Sequence, residues 1–172
     1  MTLFLSDESI ERHREYARTL RLKYSILQKS ETILNSIKIT DIPWQKLKPD
    51  LKSEAFSLLA DVTLHGVFFS SFCENGLKPL PVSNGEFKSS ADLLNHLFRL
   101  AASDTDGGFL VLFKSRGKIR AARIFPPYRE LLYFTPILAV DLYEHTYFSD
   151  YGFDRQRYLL SARSHLNLDF LA

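Results

Sequence analysis

An apolar run at 136–140 ends directly at an acidic residue, and a histidine follows four positions later. The run has the length and composition of a buried strand, so Asp141 and His145 are expected to emerge together from the protein interior. Burying a charged group without a partner costs several kcal/mol, and a metal ion is one of the few partners that stabilises such a pair. The spacing alone leaves two interpretations open, a structural carboxylate–histidine pair or a metal site.

The N-terminal half is predicted to be helical. Ser6 offers a capping hydroxyl, and the stretch 10–37 contains no Gly or Pro while apolar residues recur at helical spacing. We therefore expect one unusually long helix that continues to residue 37 and is broken at 42–44. A second helix is expected at about 49–72.

The C-terminal half is predicted to combine helices with a small antiparallel sheet. Residues 78–87 carry prolines, Asn84 and Gly85, which is typical of a linker and suggests a domain boundary. The fold class is therefore α+β, with an N-terminal helical domain (1–80) and a C-terminal α/β domain (88–172). The elements expected after the boundary are a helix through Leu100, strands at 109–113, 119–124 and 131–140, and a closing helix at 154–168.

Composition narrows the class of protein. The chain has 172 residues, with 45% hydrophobic and 24% charged residues, which is ordinary for a globular protein. The net charge of +2 argues against a dedicated nucleic-acid binder, and no apolar stretch is long enough for a membrane span. Because Cys73 is the single cysteine, no internal disulfide forms. We expect a cytoplasmic protein that binds neither nucleic acid nor membrane.

The other histidines have ordinary explanations when each is considered alone. His65 has apolar neighbours on the second predicted helix, so a buried, hydrogen-bonded role is favoured over a ligand role. His13 is surrounded by charged residues and is expected at the surface, while His96 and His165 are expected to be structural or surface residues. A set of three imidazoles and one carboxylate would suit Mn, Fe or Zn. Spacing does not show that four such groups meet.

The segment 141–147, Asp-Leu-Tyr-Glu-His-Thr-Tyr, resembles the Asp-x-Trp-Glu-His-Ala-Tyr motif of the iron/manganese superoxide dismutase family. This match is specific, whereas the matches further upstream would be weak alone. Together they follow the family order along nearly the whole chain. The further matching segments are 5–13, 64–69, 107–111, 150–151, 157–159 and 166–170.

The resemblance implies a metalloenzyme that converts superoxide to oxygen and hydrogen peroxide with one Mn or Fe ion per chain. The implied fold is a long N-terminal helical hairpin followed by an α/β domain with a three-stranded antiparallel sheet. The implied catalytic role of Asp141 is to accept a hydrogen bond from solvent on the metal, and Glu144 would reach the partner's ligand histidine in a homodimer. The implied metal ligands are His13, His65, Asp141 and His145.

The chain departs from the family pattern around these ligands. Ala17 and Arg21 replace a histidine and the gateway tyrosine, and Phe148 replaces a second tyrosine. Three hypotheses follow: an active dismutase with altered surroundings, a weakly active or inactive metal-binding or interaction protein, and a structural α+β domain without metal. The active dismutase is the leading hypothesis and the weakly active or inactive protein is the alternative, since the four ligands favour metal binding whereas the missing proton-relay residues favour weak activity.

Three residues are candidates for the missing roles. Arg21 could face the substrate channel and attract the anion, which would give it a catalytic role. Tyr24, on the same helical side as His13, either replaces the gateway phenol in catalysis or belongs to the core, and the core is favoured. Asp61 occupies the position of the iron-type outer glutamine, yet we expect it to point to solvent.

Overall fold

The computed structural model describes residues 4–73, 87–102 and 107–169. The predicted linker at 78–87 lies outside these ranges except for its last residue, so the division into domains 1–80 and 88–172 stays a prediction. The helices are α1 (Asp7–Ser30), α2 (Pro49–Ser70), α3 (Ser90–Ala102), α4 (Glu144–Tyr151) and α5 (Arg155–Ser164). The strands are β1 (Phe109–Ser115), β2 (Lys118–Ile124) and β3 (Pro136–Asp141).

Helix α1 begins as predicted but ends earlier than expected. The Ser6 hydroxyl accepts a hydrogen bond from the amide three residues later and caps the helix. The prediction that the helix continues to Ile37 was wrong, because it ends at Ser30 and a 3₁₀ turn follows. This turn buries Leu34 completely and lets its carbonyl accept a hydrogen bond from Tyr24. Leu34, one of the apolar residues whose spacing suggested a longer helix, therefore belongs to a turn.

The predicted antiparallel sheet of three strands is confirmed, in the order β2-β1-β3. Phe109, at the start of the central strand, pairs with Ile124 on one side and Asp141 on the other. The third strand begins at Pro136, so the prediction that it includes residues 131–135 was wrong. Leu131 belongs to a 3₁₀ turn that buries its side chain, which explains its strand-like apolar signal.

Helix α2 links the two halves, since it packs against both α1 and β3. Helix α4, which the sequence analysis did not predict, follows β3 almost at once and packs against α1 and α5. The end of β3 therefore lies near α2 and α4, and α1, which packs against both of these helices, comes with α2 from the N-terminal half of the chain. Within the described ranges, no helix combines the length and apolar character that crossing a bilayer requires.

Candidate metal centre

Four side chains converge at the end of β3. His13 comes from α1, His65 from α2, Asp141 from the last position of β3, and His145 from the first turn of α4. Oδ2 of Asp141 lies 3.5, 3.8 and 3.3 Å from the Nε2 atoms of His13, His65 and His145, respectively. One ligand atom from each residue lies within 4.8 Å of the other three. The structure therefore brings together all four residues of the expected ligand set.

The backbone around Asp141 fixes which oxygen faces the histidines. Oδ1 accepts a hydrogen bond of 2.8 Å from the backbone amide of Tyr143. The Asp141 carbonyl accepts a hydrogen bond of 2.7 Å from the buried hydroxyl of Tyr158. With Oδ1 and the carbonyl engaged in this way, Oδ2 is left to face the three imidazoles.

A similar constraint orients His65. Its Nδ1 lies 2.8 Å from the carbonyl oxygen of Asp61, one helical turn earlier. Because a carbonyl can only accept, Nδ1 carries the proton and Nε2 keeps its lone pair for the cluster. Backbone acceptors of this kind commonly orient histidines that bind metals.

The ligand atoms that lack hydrogen-bond partners are suited to binding a cation. Among the described residues, Nε2 of His13, Nε2 of His65 and Oδ2 of Asp141 are buried without a hydrogen-bond partner. Buried polar atoms without partners are costly, and one cation would satisfy all three. Imidazoles together with one carboxylate also match the ligand types that Mn and Fe prefer.

The protonation states of His13 and Asp141 at neutral pH also suit a metal. Burial, aided by the nearby His65 and His145, lowers the pKa of His13 to about 3 although Asp141 opposes the shift, so His13 is neutral. Burial alone would raise the pKa of Asp141, but the close imidazole of His145 and those of His13 and His65 lower it below its usual range. The deprotonated carboxylate and the neutral imidazole of His13 are the forms that bind metals.

Aromatic side chains enclose the buried side of the cluster. The His13 ring stacks on Phe68 with centroids 4.6 Å apart and meets Phe69 edge-on at 5.3 Å. The His65 ring meets Phe109 edge-on at 5.5 Å. This apolar wall keeps water from that side and strengthens electrostatic interactions within the cluster. The expectation from its charged neighbours that His13 lies at the surface was wrong, since only 1% of the residue is exposed.

Tyr16 is a neighbour of the cluster that the sequence analysis missed. Its ring centroid lies 5.2 Å from that of His65 and 4.9 Å from that of His145, and 43% of the residue is exposed. Burial and the nearby carboxylates of Asp61 and Asp141 raise the pKa of its hydroxyl. Tyr16 follows His13 by three positions, a spacing that puts two residues on the same helix face and could have indicated it.

Tyr24 and Arg21, the two candidates for catalytic roles on α1, have different surroundings. Tyr24 is buried, and its hydroxyl lies 3.2 Å from the carbonyl oxygens of Leu34 and Ser36. The structure thus places Tyr24 in the core of the hairpin, which is the favoured of its two interpretations, and not in a catalytic position. Arg21 is exposed at a groove between α1 and α2, with its guanidinium beside Gly66. A role for Arg21 in attracting anions stays a prediction.

Asp61 points inward, so the expectation that it faces solvent was wrong. Burial raises the pKa of its carboxyl, while His65 and an interaction with the Tyr128 hydroxyl offset part of this effect. The Tyr128 hydroxyl in turn lies 3.2 Å from that of Tyr143. Three polar groups from distant segments therefore meet next to the cluster.

Comparison with known families gives one match, to the model described as "Iron/manganese superoxide dismutases, C-terminal domain". It covers residues 82–172, which is more than half of the chain. No curated protein matches the chain. The matched region contains Asp141 and His145, whereas His13 and His65 lie before it. The structure supplies the evidence that these two histidines join the cluster.

Proposed function

Because the chain belongs to the iron/manganese superoxide dismutase family, we propose that it converts superoxide to oxygen and hydrogen peroxide. The observation that supports this most directly is the convergence of three imidazole nitrogens, at 3.3–3.8 Å, on one oxygen of a buried carboxylate. A single Mn or Fe ion bound there would supply the one-electron oxidation and reduction of superoxide. Its ligands would be His13, His65, Asp141 and His145.

The charges of the ligand set favour an anionic substrate. Asp141 contributes one negative charge, and the histidines bind metals as neutral imidazoles. A di- or trivalent cation in this set keeps a net positive charge, so the site attracts a small anion. Arg21, exposed at the groove between α1 and α2, is our candidate for attracting this anion.

Tyr16 is our candidate for the phenol at the entrance. Its ring lies against the two proposed ligands His65 and His145, and 43% of the residue is exposed, so an incoming anion could meet it. The raised pKa keeps a proton on the Tyr16 oxygen at neutral pH. That hydroxyl can therefore donate a hydrogen bond to a bound anion and hold a proton for the product.

We also propose a homodimer, which is supported by the surface around His145. The His145 side chain is 39% exposed, whereas the other three ligand side chains are almost completely buried. Next to it lie Glu144, which is exposed, and the exposed aromatic pair Phe148 and Phe153 with centroids 5.1 Å apart. A second copy would cover these rings and bring its Glu144 to the exposed imidazole.

Metal analysis of the purified protein, followed by a superoxide-scavenging assay, tests the proposed function. We expect one Mn or Fe per chain, with both metal and activity lost in His145→Ala and kept in the control His96→Gln. Metal without activity would favour a metal-binding family member without dismutase function, consistent with the replacements Ala17 and Phe148. No bound metal after refolding with excess Mn or Fe would contradict the proposal.

A further inference from the structure

The ring of Tyr143 is packed closely between the sheet and the exposed ligand. A Cβ atom placed on Gly107 would lie 2.1 Å from Cδ1 of Tyr143, so Gly107 is the residue that lets the ring sit where it does. The same ring stacks on the His145 imidazole, with centroids 5.8 Å apart and planes 18° apart. Tyr143 therefore supports His145 directly.

The hydroxyl of Tyr143 is held by a second tyrosine from another part of the chain. The two hydroxyl oxygens of Tyr143 and Tyr128 lie 3.2 Å apart. Tyr128 also interacts with the carboxylate of Asp61 on α2. Either hydroxyl can donate in the pair of tyrosines, and the bond fixes the two rings relative to each other.

The backbone of Tyr128 is held in an uncommon conformation. Its φ of 57° and ψ of 39° lie in the left-handed region, where a bulky aromatic residue is rare. Such a conformation is energetically unfavourable and persists where the surroundings fix it. Here the side chain is 2% exposed, and its ring meets Phe109 edge-on at 5.9 Å. The fold thus fixes the phenol of Tyr128 at the Tyr143 hydroxyl.

We propose that Tyr128 is a positioning residue that fixes the ring of Tyr143 and, through it, the imidazole of His145. His145 needs such support more than the other ligands, because burial holds His13, His65 and Asp141 while the His145 side chain is 39% exposed. Ligand orientation by neighbouring groups governs metal retention in protein sites. The consequence for metal retention rests on the function proposed above, whereas the orientation of His145 does not.

The test compares Tyr128→Phe with Tyr24→Phe. Both substitutions remove a hydroxyl from a buried tyrosine, but that of Tyr24 contacts only hairpin carbonyls. In metal-free protein with isotope-labelled histidines, Tyr128→Phe is expected to shift and broaden the NMR signals of His145 and leave those of His13 nearly unchanged. In metal-loaded Tyr128→Phe, chelators should remove the metal about tenfold faster than from the unsubstituted protein. This is the smallest effect typical of losing a group that orients a metal ligand. Tyr24→Phe should change neither measurement.

A second variant keeps the test decisive if Tyr128→Phe folds poorly. Tyr143→Phe keeps the stacked ring and removes the other hydroxyl of the same bond, so its effects on His145 should match those of Tyr128→Phe. The double variant should add nothing to either single variant. Unchanged His145 signals in folded Tyr128→Phe or Tyr143→Phe would overturn the proposal. If the unsubstituted protein binds no metal, the proposed function fails while the NMR comparison still decides the role of Tyr128.

Discussion

Oδ2 of Asp141 lies 3.5 Å from Nε2 of His13, and both side chains are completely buried although they come from opposite ends of the chain. Neither atom has a hydrogen-bond partner among the described residues. An ionised carboxylate beside a neutral imidazole in a dry interior is a poor arrangement by itself, and a shared cation turns it into a stable one.

Asp141→Asn should weaken metal binding strongly, because it keeps the shape of the side chain and removes the one negative charge of the ligand set. We expect metal affinity to fall by about 100-fold or more, since a ligand contributes more than the groups behind it. Competition with a chelator measures this. Asp50→Asn, which changes an exposed carboxylate in the first turn of α2, is the matched control. Equal affinities for the two variants would place the metal elsewhere.

The metal-free protein should lose stability as the pH falls from about 6.5 toward 3. The ordinary pKa of histidine is 6.5, while burial lowers that of His13 to about 3 in the folded protein. Between these values the unfolded chain binds a proton that the folded protein excludes, so acid favours unfolding by up to about 1.4 kcal/mol per pH unit. Urea unfolding at several pH values measures how the free energy of unfolding changes with pH.

The variant His13→Gln isolates this contribution. The effect of His145 on the pH dependence of stability has the opposite sign, because the close carboxylate of Asp141 raises the pKa of its imidazole despite burial. Its contribution is present below its unfolded pKa and is lost as the pH rises through the folded value. Between pH 3 and 6.5, the free energy of unfolding should therefore rise more steeply with pH in the unsubstituted protein than in His13→Gln. If the free energy of unfolding changed equally with pH in the two proteins, His13 would be protonated normally in the folded state.

Tyr16→Phe should slow dismutation without releasing the metal. Loss of the hydroxyl removes the proposed proton donor. We expect turnover to fall about 10–100-fold, which is at or below the smallest rate effect typical of a positioned general acid. Rapid kinetics across a range of pH, with metal content measured in parallel, test this. Tyr133→Phe, which removes a hydroxyl from an almost fully exposed tyrosine, is the control. Identical pH–rate profiles for both variants would exclude a role for Tyr16.

Arg21→Gln should reduce the second-order rate constant for superoxide by about two- to threefold at low salt, since charges near a site accelerate the capture of anions. The difference should vanish as salt is raised, because screening removes long-range attraction. Lys114→Gln removes the same charge from an exposed position on β1 and should have little effect. Equal rate constants and salt dependence for the two variants would rule out steering by Arg21.

A dimer twice the 19.9 kDa mass of the chain is expected in sedimentation experiments. Glu144→Gln should weaken it by on the order of 2 kcal/mol, the low end for loss of a buried interfacial charge pair. Glu54→Gln changes an exposed residue on α2 and serves as the control. A monomer at micromolar concentration would contradict the dimer, and a dimer unaffected by Glu144→Gln would contradict the proposed contact.

Local sequence patterns predicted most regular elements. The cap at Ser6, the period of α1 and α2, and the alternation of apolar strands with turns depend on neighbouring residues alone. The errors fall where a 3₁₀ turn buries an apolar residue, as at Leu34 and Leu131, because burial in a turn leaves the same local signal as burial in a helix or strand. Helix α4, with eight residues, is too short for a clear period.

By itself, the sequence determined the α+β class and placed Asp141 and His145 together at the end of a buried strand. Resemblance to a family added His13 and His65, while the domain boundary and the cytoplasmic location stay predictions. Only the tertiary structure decided that these histidines face one carboxylate oxygen, that Tyr16 packs against His65 and His145, and that Tyr24 bonds to hairpin carbonyls instead. The physical reason is that periodicity reports which face of an element is buried, whereas the partner of that face depends on how distant elements pack.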